Sequence, residues 1–331
     1  MNRVQSRLLW LDFLKGLAVL AMIFQHSVII AGDSSLIQSQ YGKLVFIVGT
    51  LPAAPVFLWA FGYSVGFKKR SYLYYIQRIF KLLALGYLIN LFSLALPASI
   101  SNYFFGTDLP IINLLARVEI LQLAGACLLG LMIAKGWLDL VGAKGRKFRW
   151  LLIVGYLAIA MAGSILKKVD NSNSVLDYLS NFLVATDAYG AFGIIPWASF
   201  FLLGIISRSY NLLDKLDWII TLILSGIGVW YLFPTEHSYV YAHMNFIELL
   251  LASAFVLVYV VFIRWLSQKL PIRFTSVVAD LGAKVTRVYF FQWVIYGVIG
   301  IFFPLSMPIE SLLAACLVTI ASVGLSRLEQ T

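Results

Sequence analysis

The chain has 331 residues, of which 61% are hydrophobic and 12% are charged, with a mean hydropathy of +0.89. Soluble domains carry roughly twice that charged fraction, so this composition excludes an ordinary soluble protein. The net charge of +10 does not indicate a nucleic-acid partner, because the cations cluster in short connectors between apolar segments, where the positive-inside rule places them.

Apolar segments close to 20 residues long recur from end to end, and each can cross a hydrocarbon core of about 30 Å. The sequence therefore predicts an all-α, polytopic membrane bundle of about ten transmembrane helices, forming a single domain over residues 1–331. In chain order, the predicted spans are 10–31, 44–66, 79–97, 111–134, 150–166, 192–207, 217–233, 246–266, 285–303 and 309–325.

The connectors between these spans alternate in charge. The connectors 68–81 and 264–287 are basic, whereas 32–42 and 98–110 carry no cations. With the basic side in the cytoplasm, both termini are predicted to be cytoplasmic, which agrees with an even number of spans. The longest outer connector, 167–191, is interpreted as a solvated loop.

The first span carries three ionisable side chains, Asp12, Lys15 and His26. The eleven residues from Lys15 to His26 rise roughly 16 Å in an α-helix and return to nearly the same face, and Asp12 lies close to that face. Ionisable groups inside membrane segments are expensive and by default indicate function. We interpret His26 as a catalytic or transport residue, because a neutral imidazole suits proton transfer at physiological pH.

Two cations open the third span, where Arg78 and Lys81 share a helix face at positions i and i+3. One interpretation is that they anchor the helix at the positive side of the membrane with snorkelling side chains. The other is an anion site for phosphate groups, to which Lys15 of the first span can contribute. The residues alone leave both interpretations open.

The fourth span contains three polar residues, Arg117, Glu119 and Gln122. Glu119 and Gln122 can face the bundle interior together, either as hydrogen-bonding partners or as pocket-lining residues. Arg117 and Glu119 are predicted not to pair, because side chains two residues apart on a helix point to different faces. Gln292, a lone polar residue in the ninth span, is interpreted as an interhelical hydrogen-bonding group.

The remaining histidines and the two cysteines favour interpretations without a catalytic or binding function. His237 and His243 lie in an outer connector, where an ordinary loop position is favoured over substrate binding. Cys127 and Cys316 fall in apolar spans and indicate no disulfide. The sequence has no glycine-rich phosphate loop, zinc-protease motif or Cys/His cluster with metal spacing, so no metal is expected.

Several patterns along the chain carry a resemblance to a known family. Lys15 and His26 fit an Arg-or-Lys, ten residues, His pattern, and the segment 52–64 fits a Pro-x-Phe…Gly-Tyr-Ser pattern. Together with the segments 78–81, 120–123 and 195–204, they resemble the transmembrane acyltransferase superfamily. That group includes the acyltransferase-3 O-acyltransferases and the heparan-α-glucosaminide N-acetyltransferases. The chain departs from the acyltransferase-3 pattern at Phe80, which stands where that pattern has the second arginine of an Arg-x-Arg motif, and at Gln292, which stands where it often has a late-span histidine.

The resemblance implies an enzyme that moves an acyl group, usually acetyl, from cytoplasmic acyl-CoA to a hydroxyl or amine of an extracytoplasmic glycan or glycolipid. Acetyl-CoA is then the donor substrate, and the protein lies in a bacterial plasma membrane. The implied functional residues are a general base (His26), cations that bind the phosphates of CoA (Lys15, Arg78 and Lys81) and supporting polar residues (Asp12, Glu119 and Gln122). O- or N-acylation, direct or ping-pong transfer, and homo-oligomerisation stay open.

The competing hypothesis is a proton-coupled transporter or flippase of a glycan or lipid intermediate. It explains the same spans, with His26 as a proton relay and Lys15 as its counter-ion. The sequence shows no internal repeat or paired broken helices of the kind found in inverted-repeat transporters. We therefore favour the acyltransferase.

Overall fold

The computed structural model describes residues 8–65, 71–140, 146–165, 180, 182–184, 192–216, 218–232 and 244–328. All ten predicted spans fall on helices in this part of the chain, so the prediction of an all-α, polytopic membrane protein is confirmed. In chain order, the helices are α1 (Leu9–Ile29), α2 (Ser34–Gln38), α3 (Gln40–Val65), α4 (Tyr72–Asn90), a π-helical turn (Leu91–Ala95), α5 (Leu96–Phe105), α6 (Ile111–Ala116), α7 (Ile120–Leu140), α8 (Arg146–Ile165), α9 (Ile194–Tyr210), α10 (Leu212–Lys215), α11 (Trp218–Leu232), α12 (Phe246–Lys269), α13 (Ile272–Ala283), α14 (Val285–Phe302) and α15 (Pro308–Leu328).

Seven helices of the described residues are long and apolar enough to cross a membrane. The other three predicted spans correspond to α8, α9 and α11. Helix α8 opens with three cations, Arg146, Lys147 and Arg149, whereas α9 and α11 have 17 and 15 residues. A straight crossing needs about 20 residues, so these three are marginal spans by length or charge. The number of about ten crossings stays a prediction.

The chain forms two compact units. The first comprises Met1–Phe57, Phe92–Leu109 and Val258–Thr331. In it, α1 packs against α13, α14 and α15. Its core contains small and β-branched side chains from three of these helices, including Val19, Ile23, Val288, Ala315 and Val318. This apolar core holds α1 against α14 and α15.

The second unit comprises Leu58–Leu91 and Pro110–Leu257. In it, α7 packs against α4 and α9, and α9 packs against α8. Glycines let α9 approach the end of α3 closely: a Cβ at Gly204 would lie 2.1 Å from the Trp59 carbonyl oxygen, and one at Gly62 would lie 2.0 Å from that of Phe201. Small residues that admit such close backbone contact are characteristic of helix packing in membranes.

A short backbone bridge fixes the end of α1 in the first unit. Gly32 and Leu305 form a parallel bridge, in which the Asp33 N–H donates to the Leu305 carbonyl and the Leu305 N–H donates to the Ala31 carbonyl. Asp33 then caps α2 by accepting the Leu36 N–H, and this bond, with the Ser35 hydroxyl, lowers the pKa of the Asp33 carboxyl. The two apolar helices α1 and α14 are thereby joined at one end.

Two sequence-based expectations about elements are wrong. The segment 264–287, predicted as a basic connector, contains the end of α12 and the whole of α13. The one cation of α13, Arg273, is exposed, whereas a row of buried residues, Thr275, Val278, Ala279 and Gly282, packs on α1. The predicted span 111–134 is likewise not one helix, because α6 ends at Ala116 and α7 begins at Ile120.

Candidate active site

The first part of the site is built on one unbroken helix. Helix α1 runs from Leu9 to Ile29, so Lys15 and His26 lie roughly 16 Å apart along its axis, as predicted. His26 is 7% exposed, and Lys15 is partly buried. One rigid element thus carries a cation and an imidazole at a fixed separation.

Helix α14 packs an aromatic side chain against the imidazole. The rings of His26 and Trp293 meet edge to face, with centroids 4.9 Å apart and an interplanar angle of 64°. One turn away, the Tyr296 hydroxyl donates to the Ile23 carbonyl oxygen at 3.0 Å. These two contacts fix both the ring of His26 and the register of α1 against α14. The sequence analysis missed Trp293.

Polar contacts hold α1 on both sides of His26. Gln25 donates from its amide nitrogen to the Thr50 hydroxyl of α3, and both side chains are buried. The hydroxyls of Ser27 and Ser311 lie 2.7 Å apart, which joins α1 to α15. In an apolar interior such bonds orient a helix as well as stabilise it, so the face that carries His26 is defined by neighbouring side chains.

At the Lys15 end of α1, the charge of the lysine is paired with a carboxylate and the backbone packs closely against α13. The Lys15 ammonium donates to Asp12 at 3.1 Å, one helical turn away. Helix α13 presses on the same turn: a Cβ at Gly282 would lie 1.8 Å from the Asp12 carbonyl oxygen, and one at Gly16 would lie 2.0 Å from that of Val278. Asp12 therefore supports Lys15 directly, and α13 fixes the backbone that carries both.

The second unit contains the other predicted phosphate-binding cations. Arg78 and Lys81 are both exposed on α4. The Arg78 guanidinium lies 5.3 Å from the ring centroid of Phe61 and donates to the Tyr74 hydroxyl at 3.1 Å. An arginine stacked on an aromatic ring keeps donors available for an anion. Phosphate binding by Arg78 and Lys81 stays a prediction.

The predicted lack of contact between Arg117 and Glu119 is wrong. The Arg117 Nε donates to Glu119 Oε1 at 2.6 Å. The reason is the break between α6 and α7: Arg117 has φ −55° and ψ 136°, so the helical offset between the two side chains does not apply. Gln122 and Glu119 do meet as predicted, because the Glu119 N–H donates to the Gln122 amide oxygen.

The interhelical hydrogen bond predicted for Gln292 is also wrong for the described residues. The side chain is fully buried, yet neither its amide oxygen nor its amide nitrogen has a hydrogen-bond partner there. Val288 and Tyr296, one turn before and after it on α14, belong to the apolar core of the first unit. Its neighbours on that face of the helix are therefore mainly hydrocarbon.

Some predicted regions lie outside the described residues. These are the two histidines of the outer connector, His237 and His243, and nearly all of the loop 167–191. The ordinary loop positions favoured for the two histidines and the solvated loop 167–191 stay predictions.

Two comparisons bear on identity. The fold is that of an integral membrane protein whose first apolar helix carries two buried ionisable residues, Asp12 and His26. Residues 8–327 match the acyltransferase domain that defines the acyltransferase-3 family, so the chain belongs to that family. No curated protein gives a significant match. The match covers nearly the whole chain and confirms the resemblance drawn from its motifs.

Proposed function

We propose that this membrane acyltransferase moves an acetyl group from cytoplasmic acetyl-CoA to a hydroxyl or amine of an extracytoplasmic saccharide or glycolipid. The observation that carries the proposal is the burial of His26 against Trp293, on the helix that also bears Lys15. A buried imidazole oriented by an aromatic ring suits a general base, because the ring is held in one position relative to the proton that it accepts.

In the proposed reaction, the His26 imidazole accepts the proton of the acceptor as the acceptor oxygen or nitrogen attacks the thioester carbonyl carbon. The carbon–sulfur bond breaks, and the imidazolium returns the proton to the leaving thiolate. The products are the acetylated acceptor and the free thiol of CoA, with His26 neutral again.

Lys15 is the proposed binding group for the phosphates of CoA on this helix. Its separation of roughly 16 Å from His26 suits the pantetheine arm, which joins the phosphates to the thioester. The carboxylate of Asp12 holds the ammonium and lowers its net charge, so Lys15 contributes orientation and hydrogen bonds more than a strong field. Arg78 and Lys81 are proposed to add phosphate contacts from α4.

The test is the loss of labelled acetyl from acetyl-CoA on purified protein, to acceptor or to water. We expect His26→Ala to lower turnover by at least about 100-fold, the contribution of a general base. Thermal stability and acetyl-CoA affinity should stay close to wild type. Ser322→Ala, which removes another buried polar group of the same unit, is the control and should retain activity.

The transporter hypothesis predicts a different result. A wild-type protein that does not bind acetyl-CoA, together with a His26→Ala variant that loses proton-coupled uptake in vesicles, would replace our proposal with transport.

A further inference from the structure

The break between α6 and α7 in the second unit is stabilised by specific hydrogen bonds. Its unpaired backbone carbonyls are satisfied by side-chain amides: Asn90 donates to the carbonyls of Leu115 at 3.0 Å and Arg117 at 2.6 Å, and Gln122 donates to that of Arg117 at 3.3 Å. Asn90 and Gln122 are both fully buried. Gly86 of α4 leaves room for the Gln122 amide, since a Cβ there would lie 2.5 Å from its amide carbon.

Non-helical backbone in a membrane segment is tolerated where protein buries it or where it lines a water-filled cavity. The first condition applies here. The backbone on one side is buried by Asn90 and Gln122, whereas the Arg117 side chain on the other is 37% exposed. One polar atom of the cluster, the Asn90 amide oxygen, is buried without a hydrogen-bond partner among the described residues.

The Arg117–Glu119 pair has one buried and one accessible member. Glu119 is 3% exposed, so its carboxylate is committed to Arg117 and is closed to a ligand. A guanidinium has five N–H donors, and the pair uses the one on Nε. The four donors on the terminal nitrogens therefore form a planar fork, held in place from behind by a carboxylate.

The charge of the pair indicates what the fork can bind. Arg117 and Glu119 cancel, so the site offers oriented donors without a net positive charge. Such a group favours uncharged oxygen acceptors over a phosphate or carboxylate, for which an unpaired cation is better suited. Adjacent hydroxyl and ring oxygens of a sugar match a planar fork of donors.

We propose that Arg117 is a binding group for the acceptor substrate and contacts uncharged hydroxyl oxygens of its saccharide, with Glu119 as the residue that positions the guanidinium. This inference rests on the proposed function and adds to it a residue that binds the acceptor. The alternative without substrate binding is that the Arg117 side chain only extends toward the membrane surface.

The experiment separates acceptor binding from chemistry. Loss of acetyl from acetyl-CoA to water, with no acceptor added, measures the His26 reaction alone. Stimulation of that loss by neutral methyl hexosides, and by the matching hexuronates, measures acceptor use. We expect Arg117→Gln to raise the KM for neutral saccharides about tenfold or more, the effect of losing a charged hydrogen bond.

Two further variants distinguish the loss of the hydrogen-bond donors from misfolding. Arg117→Lys keeps the charge and the aliphatic stem but loses the fork, so it should also raise the KM. Glu119→Gln should raise it less, because the new amide oxygen still accepts from Nε. The control is Arg149→Gln, which removes an arginine stacked on Tyr210 in the same unit and should leave the saccharide KM unchanged.

Three results would overturn the inference while leaving the proposed function intact. They are an unchanged KM in Arg117→Gln, a preference for hexuronates that Arg117→Gln abolishes, and hydrolysis in the wild type that no saccharide of the panel stimulates. A wild-type protein that does not hydrolyse acetyl-CoA would instead remove the proposed function itself, and this inference with it.

Discussion

Lys15 and His26 occupy their positions for local reasons, whereas their surroundings depend on distant segments. The eleven-residue spacing puts both side chains on one side of any continuous helix, and α1 is continuous. The ring that packs on His26 comes from Trp293, on α14. At this scale the sequence defines the reactive groups, and the tertiary fold supplies the environment that orients them.

Removal of Lys15 should weaken donor binding. We expect Lys15→Gln to raise the KM for acetyl-CoA about tenfold, because it removes charge-assisted hydrogen bonds to phosphate. Lys15→Arg should raise it less, since the charge is kept. The check is steady-state hydrolysis of acetyl-CoA by purified protein.

The matched control for Lys15 is Lys269→Gln, which removes an exposed cation of the same unit and should leave the KM unchanged. An equal KM in Lys15→Gln and wild type would exclude Lys15 from phosphate binding. A lower melting temperature without a change in KM would show that the pair with Asp12 is structural.

The residue-level predictions succeeded and failed for identifiable physical reasons. The approach of Gln122 to Glu119 follows from helical spacing at the start of α7. The Arg117–Glu119 contact does not, because it needs extended backbone that helical spacing cannot anticipate. The role of Asn90 depends on carbonyls 25 and 27 residues further along the chain, which no local pattern reveals.

Among the elements, the contact between α1 and α13 gives a direct stability prediction. Gly282→Ala places a methyl group 1.8 Å from the Asp12 carbonyl oxygen and forces the two helices apart. We expect a loss of roughly 1–3 kcal/mol, the usual effect of overpacking. The loss should appear as a lower melting temperature in detergent, together with weaker acetyl-CoA binding.

The control for this prediction is Gly324→Ala on α15. A Cβ at Gly324 meets nothing within 4 Å, and alanine favours a helix by up to about 1 kcal/mol over glycine. This variant should match or exceed the wild-type stability. Equal stability of Gly282→Ala and wild type would contradict the close packing of α13 on α1.

The continuous apolar signal predicted every long helix of the described residues, because a membrane span is hydrophobic along its whole length. It missed α13, where six charged residues between Arg264 and Arg287 conceal a row of small buried residues. It also missed the break before α7, because the apolar residues on both sides of Arg117 and Glu119 continue one hydrophobic segment.

For the whole molecule, the charge pattern predicts which connectors face the cytoplasm. In a background with Cys127 and Cys316 replaced, a cysteine at Asp108 should react with a membrane-impermeant maleimide on intact cells. A cysteine at Lys215 should react after permeabilisation. Both positions are exposed, so accessibility in the protein does not limit the labelling. The reverse pattern would invert the topology and place the predicted donor side outside.

The family match spans residues 8–327 and includes segments of both compact units. The family assignment therefore covers both compact units. The assignment was predictable from the sequence because several motifs occur in the order typical of the family, although no single motif is specific. The single domain proposed for residues 1–331 stays a prediction, as do the acceptor and the acetyl-CoA donor.

The Arg117–Glu119 pair also has a consequence for biogenesis. A lone arginine or carboxylate at the middle of a nascent segment costs roughly 2.5–3.5 kcal/mol to insert. Because the two side chains pair within three residues of the chain, we expect their charges to neutralise each other without help from another helix and so to lower the cost of insertion. Asn90 of α4 satisfies the backbone of the same segment in the folded protein.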